Sequence, residues 1–166
     1  MCARSTRRLI LAAALAILTI PSTHLVARQS ATADPNPLIG RWSLLVEKSR
    51  YDPGPPPRSQ LRIYEAAPKG LRTTIQTVNA DGESSTVEYT TNYDSIEYRV
   101  TGSPQLDGIA LTKVDPYTAQ ATLTHAGRIV GTAKRIVSKD GQTMTITFSD
   151  VQGVVHNVAV YEREKP

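Results

Sequence analysis

Four tyrosines of this 166-residue chain recur at spacings that would aim their phenols at one interior. Tyr89 and Tyr93 fall in the cleanest period-two run, Ser85 to Tyr93, where Val87, Tyr89, Thr91 and Tyr93 alternate with Thr86, Glu88, Thr90 and Asn92. Tyr98 follows in step with Ile96 and Val100, and Tyr161 lies in the last apolar run. A phenol offers an apolar wall with one hydrogen-bonding tip, the combination small-molecule pockets use. The same residues also stack across strands as core. Thr73, Thr91, Ala121, Gly131 and Ala133 read as small inward neighbours. With one Phe and one Trp in the chain, that pattern leaves room for a void.

Other chemistry finds less support. His125 and His156, 31 residues apart, could share a metal only with a carboxylate such as Asp150, and their spacing shows no convergence, so no metal site is assigned. Ser149, Asp150 and His156 can be composed into a triad, but no Gly-x-Ser-x-Gly elbow exposes a nucleophile. Phosphate-loop and dinucleotide fingerprints are missing, which leaves no cofactor and no catalytic residue to name. The Asp-Gly pairs at 81–82, 107–108 and 140–141 lack the repeated acidic spacing of a calcium loop. They sit where hairpins need positive φ.

The elements that would position the tyrosines begin after a leader. Arg4, Arg7 and Arg8 precede an apolar run from Leu9 to Ile20, which Pro21 ends. This is the layout of a secretory signal peptide, and Ala31-Thr32-Ala33 places its cleavage before Asp34, giving a leader over 1–33. The run is shorter than the ~20 residues of a spanning helix, so the chain reads as secreted or periplasmic and not membrane-spanning. Four of the 19 basic residues precede Asp34, and none of the 15 acidic ones do, so the remainder is neutral. That removes the basic surface that nucleic acid would require. The only cysteine, Cys2, lies in the leader, so the expected domain carries no disulfide.

After an extended lead-in over 34–38, the domain occupies 39–166. A first strand, Ile39 to Glu47, precedes a proline-rich loop, Lys48 to Ser59, that can be neither helix nor central strand. Runs at 60–66, 71–79, 85–93, 96–100, 109–114, 118–124, 128–137, 143–148 and 155–162 follow, separated by turn signals. The expectation is all-β: an up-and-down antiparallel meander closing into a barrel or half-barrel of about 8–10 strands, with no helical lid. A barrel of that size fills with side chains or holds one small ligand.

Gly40-x-Trp42 at the start and Val160-Tyr161-Glu162 at the end, around such a meander, resemble the calycin superfamily of lipocalins and fatty-acid-binding proteins. Short secreted bacterial lipocalin-like proteins share the layout of the loop at 48–57. The resemblance implies that Gly40, Trp42 and Arg163 form the base, with Arg163 stacked on Trp42, and that the interior takes a small apolar molecule. It also implies an Arg-x-Tyr carboxylate grip in the last strand. Here Ala159 replaces that arginine, so either the ligand is neutral, or another cation such as Arg99, Lys113 or Arg135 serves, or there is no fatty-acid ligand. Tyr89, Tyr93, Tyr98, Tyr161 and Arg135 are the expected ligand contacts. Tyr51, Pro53 and Gly54, with the connection from Gly102 to Gly108, would border the mouth. The reading is of a monomeric, non-enzymatic binding protein; the alternatives are an interaction or inhibitor module with a filled barrel, and a calycin-type isomerase or hydrolase.

Overall fold

The structure, a computed structural model, describes residues 36–165, so the expected leader and its cleavage site lie outside the described residues. Eleven strands form one antiparallel sheet: β1 (Gly40–Leu44), β2 (Arg50–Tyr51), β3 (Ser59–Ala67), β4 (Gly70–Val78), β5 (Ser84–Thr91), β6 (Asp94–Arg99), β7 (Gly108–Lys113), β8 (Thr118–His125), β9 (Arg128–Val137), β10 (Thr143–Ser149) and β11 (Val155–Arg163). Ten are the strands of the meander. The two-residue β2 lies inside the proline-rich segment and pairs with β11, so Tyr51 is held by the sheet rather than by a free loop. A single 3-10 turn, Val46–Lys48, interrupts the strands, and among the described residues no helix is long and apolar enough to cross a membrane.

The ladder runs β5-β4-β3-β1-β11-β10-β9-β8-β7-β6, so the first long strand joins the last and the meander wraps into a nearly closed barrel. This architecture is compatible with a calycin-like fold. Closure is incomplete at one seam. At this seam a single bridge joins Glu88 of β5 to Thr101, two residues beyond β6, with N–H···O bonds of 3.0 Å in both directions. Hairpin geometry follows the turn residues. Ala126 and Gly127 both adopt positive φ (49° and 73°) between the paired His125 and Arg128, as a two-residue turn matching the twist of its strands requires.

Two structures depart from the alternation. The turn expected at Asp94-Ser95 falls at Asn92-Tyr93, so Tyr93 leaves β5 and occupies a connection. Ser95 takes φ 63° and the β6–β7 register slips between Asp94 and Glu97, which leaves Ile96 60% exposed. An edge strand with a bulge has no second neighbour to hold its face, and the local twist turns its side chains outward.

The base is built on Trp42, which is fully buried and donates its indole N–H to the Leu38 carbonyl at 2.8 Å. The Arg163 guanidinium stacks over the indole at 4.3 Å. It also donates to the carbonyls of Gly141 (2.6 Å), Ile39 (2.7 Å) and Pro37. Gly40 (φ 135°) makes room for it, since a Cβ there would lie 2.5 Å from Arg163 Nη1. Leu38, Leu71, Val137, Met144, Ile146, Ala159 and Tyr161 complete this apolar layer. Trp42→Ala removes its centre and should cost about 3–5 kcal/mol, read as a lowered urea midpoint with an unchanged slope.

Candidate functional site

Above the base, a cavity of about 90 Å³ lies between two unlike walls. One is apolar: Val100, Ile109, Leu111, Ala121 and Leu123 form a second buried cluster from β7, β8 and the residue that follows β6. The other carries Arg62, Tyr64, Tyr89 and Arg135. Arg62 and Tyr64 sit two residues apart on β3, so the pleat presents both to the same side. Arg135 comes from β9, where Gly131, Ala133 and Val137 share its inward face.

Arg62 is 8% exposed. Its Nε–H is shared between Tyr161 Oη at 2.9 Å and Gln60 Oε1 at 3.1 Å, while the Tyr161 hydroxyl donates to the same Gln60 oxygen at 2.5 Å. The guanidinium lies over the Tyr161 ring, 5.3 Å from its centroid. Arg135 donates from Nη2 to Tyr93 Oη at 2.5 Å and lies over the rings of Tyr64 (5.3 Å) and Tyr93 (5.9 Å). Neither arginine makes an ion pair among the described residues, and no carboxylate lines the cavity. Asp115 shares a crevice of about 20 Å³ with Arg135 but accepts from the backbone N–H groups of Tyr117 and Thr118. Burial pulls both guanidiniums down, and the surrounding phenols outweigh it, so both stay charged. Burial pushes the Tyr89 phenol up to about 12, with Tyr64 adding to the rise and the two arginines opposing it. The hydroxyls of Tyr64, Thr73 and Thr91 are buried without a protein partner.

A wider vestibule of about 480 Å³ adjoins the cavity, sharing Arg62, Leu106, Leu123 and Phe148 with it. Tyr51, Gln60, Gln105, Val130, Gly131 and Tyr161 contribute to its walls. Tyr51 is held by β2, and burial raises its phenol to about 12, helped by Tyr161 and opposed by Arg62. His156 and Asp150 stand at the vestibule edge. The imidazole spans Asp52 O at 3.0 Å and Asp150 Oδ2 at 3.1 Å, tying the proline-rich segment to the β10–β11 turn. Both ring nitrogens are therefore engaged, and neither meets Ser149. His125 lies 3.9 Å from Asp107 at the β8–β9 turn and shares no partner with His156.

The expected contacts divide. Tyr89 and Arg135 line the cavity, Tyr93 holds Arg135, and Tyr161 holds Arg62. Tyr98 does not reach the cavity: at the bulged edge its hydroxyl donates to Asp94 at 2.6 Å and accepts from Asn92 at 3.2 Å. Together with Lys69, Arg72 and Arg99, Tyr98 borders an outer groove along the seam. Arg99 and Lys113 are exposed and line no part of the cavity. Pro53 and Gly54 are exposed beyond the vestibule wall. Arg62, which the sequence does not single out, is the most buried cation of the barrel. No protein-family model matches the chain, and a search of curated proteins finds no significant relative.

Two outcomes follow from this geometry. Replacing a buried charge by an apolar side chain of similar length is often neutral or stabilising, so Arg62→Met and Arg135→Met should each leave stability unchanged or raise it by up to about 4 kcal/mol in urea unfolding. The Asp150 carboxylate and the Asp52 carbonyl raise the His156 pKa. That contact strengthens the fold below pH 6.5 and is lost as pH rises through the raised value. The hydrogen bond from His156 in turn lowers Asp150, whose contribution is lost as pH falls through its lowered value. An NMR titration should place His156 above 6.5, and Asp150→Asn should return it toward that value.

Proposed function

We propose that this chain is an exported binding protein whose barrel takes a small, largely apolar molecule by an anionic head group. The observation that carries the reading is the pair of inward guanidiniums with no carboxylate partner among the described residues. Taking an ion out of water costs several kcal/mol, and an unpaired one recovers little of it. Charges kept in that state serve something that arrives with the opposite sign. The phenols of Tyr64 and Tyr89 add hydrogen-bonding tips, and the wall from Val100 to Leu123 removes the rest of the ligand from water. Drug-sized ligands occupy pockets of roughly 300–1,000 Å³. A cavity of about 90 Å³ holds a head group and a few carbons, and the vestibule would take the remainder. Export is supported by the Arg-rich, apolar and small-residue succession over 1–33. The exported chain should carry the mass of a protein beginning at Asp34.

A second reading has its own observation. Ile129, Val130, Val151, Val154 and Val155 are exposed on the β8–β9 and β10–β11 hairpins beside the vestibule. An apolar rim of this kind is also what a protein-interaction module would present.

Calorimetric titration separates the two. Hexanoate or hexyl phosphate should bind at least tenfold more tightly than hexanol, and Arg62→Met and Arg135→Met should each remove that advantage. Equal binding of hexanol would remove the anionic head group from the reading. No uptake of any of the three would favour the interaction module.

A further inference from the structure

The head group can be specified further by counting donors and charge, an argument that rests on the anion reading above. A guanidinium carries five N–H donors. Arg62 commits only its Nε–H, to Tyr161 and Gln60, and Arg135 commits one Nη2 donor, to Tyr93. Four N–H groups on each guanidinium therefore have no protein acceptor among the described residues. The Tyr64 hydroxyl stands beside both arginines, is 1% exposed, and makes no hydrogen bond of normal length to either among the described residues. The site thus offers two positive charges and an excess of donors around one small space.

A monocarboxylate does not match that supply. It has two oxygens with about four lone-pair sites, and its geometry suits one guanidinium fork. Bound here, it would neutralise one charge and leave the second guanidinium buried and unpaired. A phosphate monoester carries three free oxygens and a charge of about −1.5 to −2 at pH 7. Such a group can accept from two guanidiniums at once, and from the Tyr64 hydroxyl, while cancelling both charges.

We infer that the ligand of this barrel carries a phosphate-type dianion, a terminal phosphoryl group held between Arg62 and Arg135, and not a monocarboxylate. The groups lining the cavity around it are the two guanidiniums and the phenols of Tyr64 and Tyr89, while Tyr93 and Tyr161 hold the guanidiniums. The vestibule adds Tyr51, Asp150 and His156. Inside the cavity the lining residues include no carboxylate or histidine. Between pH 5.5 and 7.5 the ligand's own second ionisation, near pH 6, therefore dominates the pH dependence of binding.

The test uses the full folded chain and four probes: hexyl phosphate, hexyl sulfate, hexanoate and inorganic phosphate, titrated calorimetrically at pH 7.5 and 5.5. At pH 7.5 hexyl phosphate should bind at least tenfold more tightly than hexanoate and hexyl sulfate. Its affinity should fall severalfold at pH 5.5. Hexyl sulfate, which keeps one charge throughout, reports any contribution from His156 and should change little. Arg62→Met and Arg135→Met should each bring hexyl phosphate down to the level of hexyl sulfate. Arg135→Lys, which keeps the charge, should retain part of the preference. Inorganic phosphate binding as tightly as hexyl phosphate would keep the dianion and assign the site to free phosphate. Equal affinities for hexanoate and hexyl phosphate would overturn the dianion and leave the anion reading intact. If none of the four binds, both fall.

Discussion

The barrel depends on the joining of its two ends at β1. That short strand pairs with β3 on one side and β11 on the other, with Trp42 opposite both Arg62 and Arg163. Without it the sheet would be an open meander with two raw edges. Arg163 secures the junction by stacking on Trp42 while it satisfies the carbonyls of Pro37, Ile39 and Gly141, from two segments that no ladder connects. One guanidinium thus supplies the hydrogen bonds that the chain's lead-in and the β9–β10 turn would otherwise seek from water. A second tie, from Glu164 to Arg41 and Ser43 at 2.7 Å each, repeats the junction on the outer face.

The opposite seam is as loose as this one is tight. β5 meets the segment after β6 at a single bridge, and Tyr89, which lines the inner cavity, also borders the groove outside. A closed barrel removes its edges; this one keeps a partial edge next to the polar wall. The vestibule opens at the barrel end away from Trp42, where the His156 contact holds the proline-rich segment in place. The interior is therefore layered from an apolar base, through a charged middle, to a mixed mouth.

That layering reverses the usual division of labour in a sheet. In β3 the residues facing inward are Gln60, Arg62 and Tyr64, while Leu61 and Ile63 face out and stay half-buried. The polar face wins because Tyr161, Gln60 and the phenol rings provide acceptors and π-faces for the guanidinium. The apolar face is partly covered by its neighbours in the sheet. Stability alone would favour the other assignment.

The period-two runs and the turn residues were enough to show an all-β antiparallel meander, because strand pleat and hairpin φ are local properties. Strand positions followed to within a residue or two, with three departures: β2, the Asn92-Tyr93 turn, and the first strand, which ends at Leu44 where a strand to Glu47 was expected and a 3-10 turn follows. Those depend on pairing with a distant strand and on a bulge at an edge, neither of which a local pattern encodes. The phenols and Arg135 were visible as residue types on apolar runs. Arg62 was not, since alternation in Gln60-Leu61-Arg62-Ile63-Tyr64 by itself argues for Leu61 and Ile63 inside. Which face of β3 turned inward was decided by closure, when β1 set its register against β11 and brought Tyr161 within reach of Arg62. The sequence by itself determined the strands and the hinges between them. The tertiary structure decided which side of each strand is the interior, because that choice is made by partners a hundred residues away.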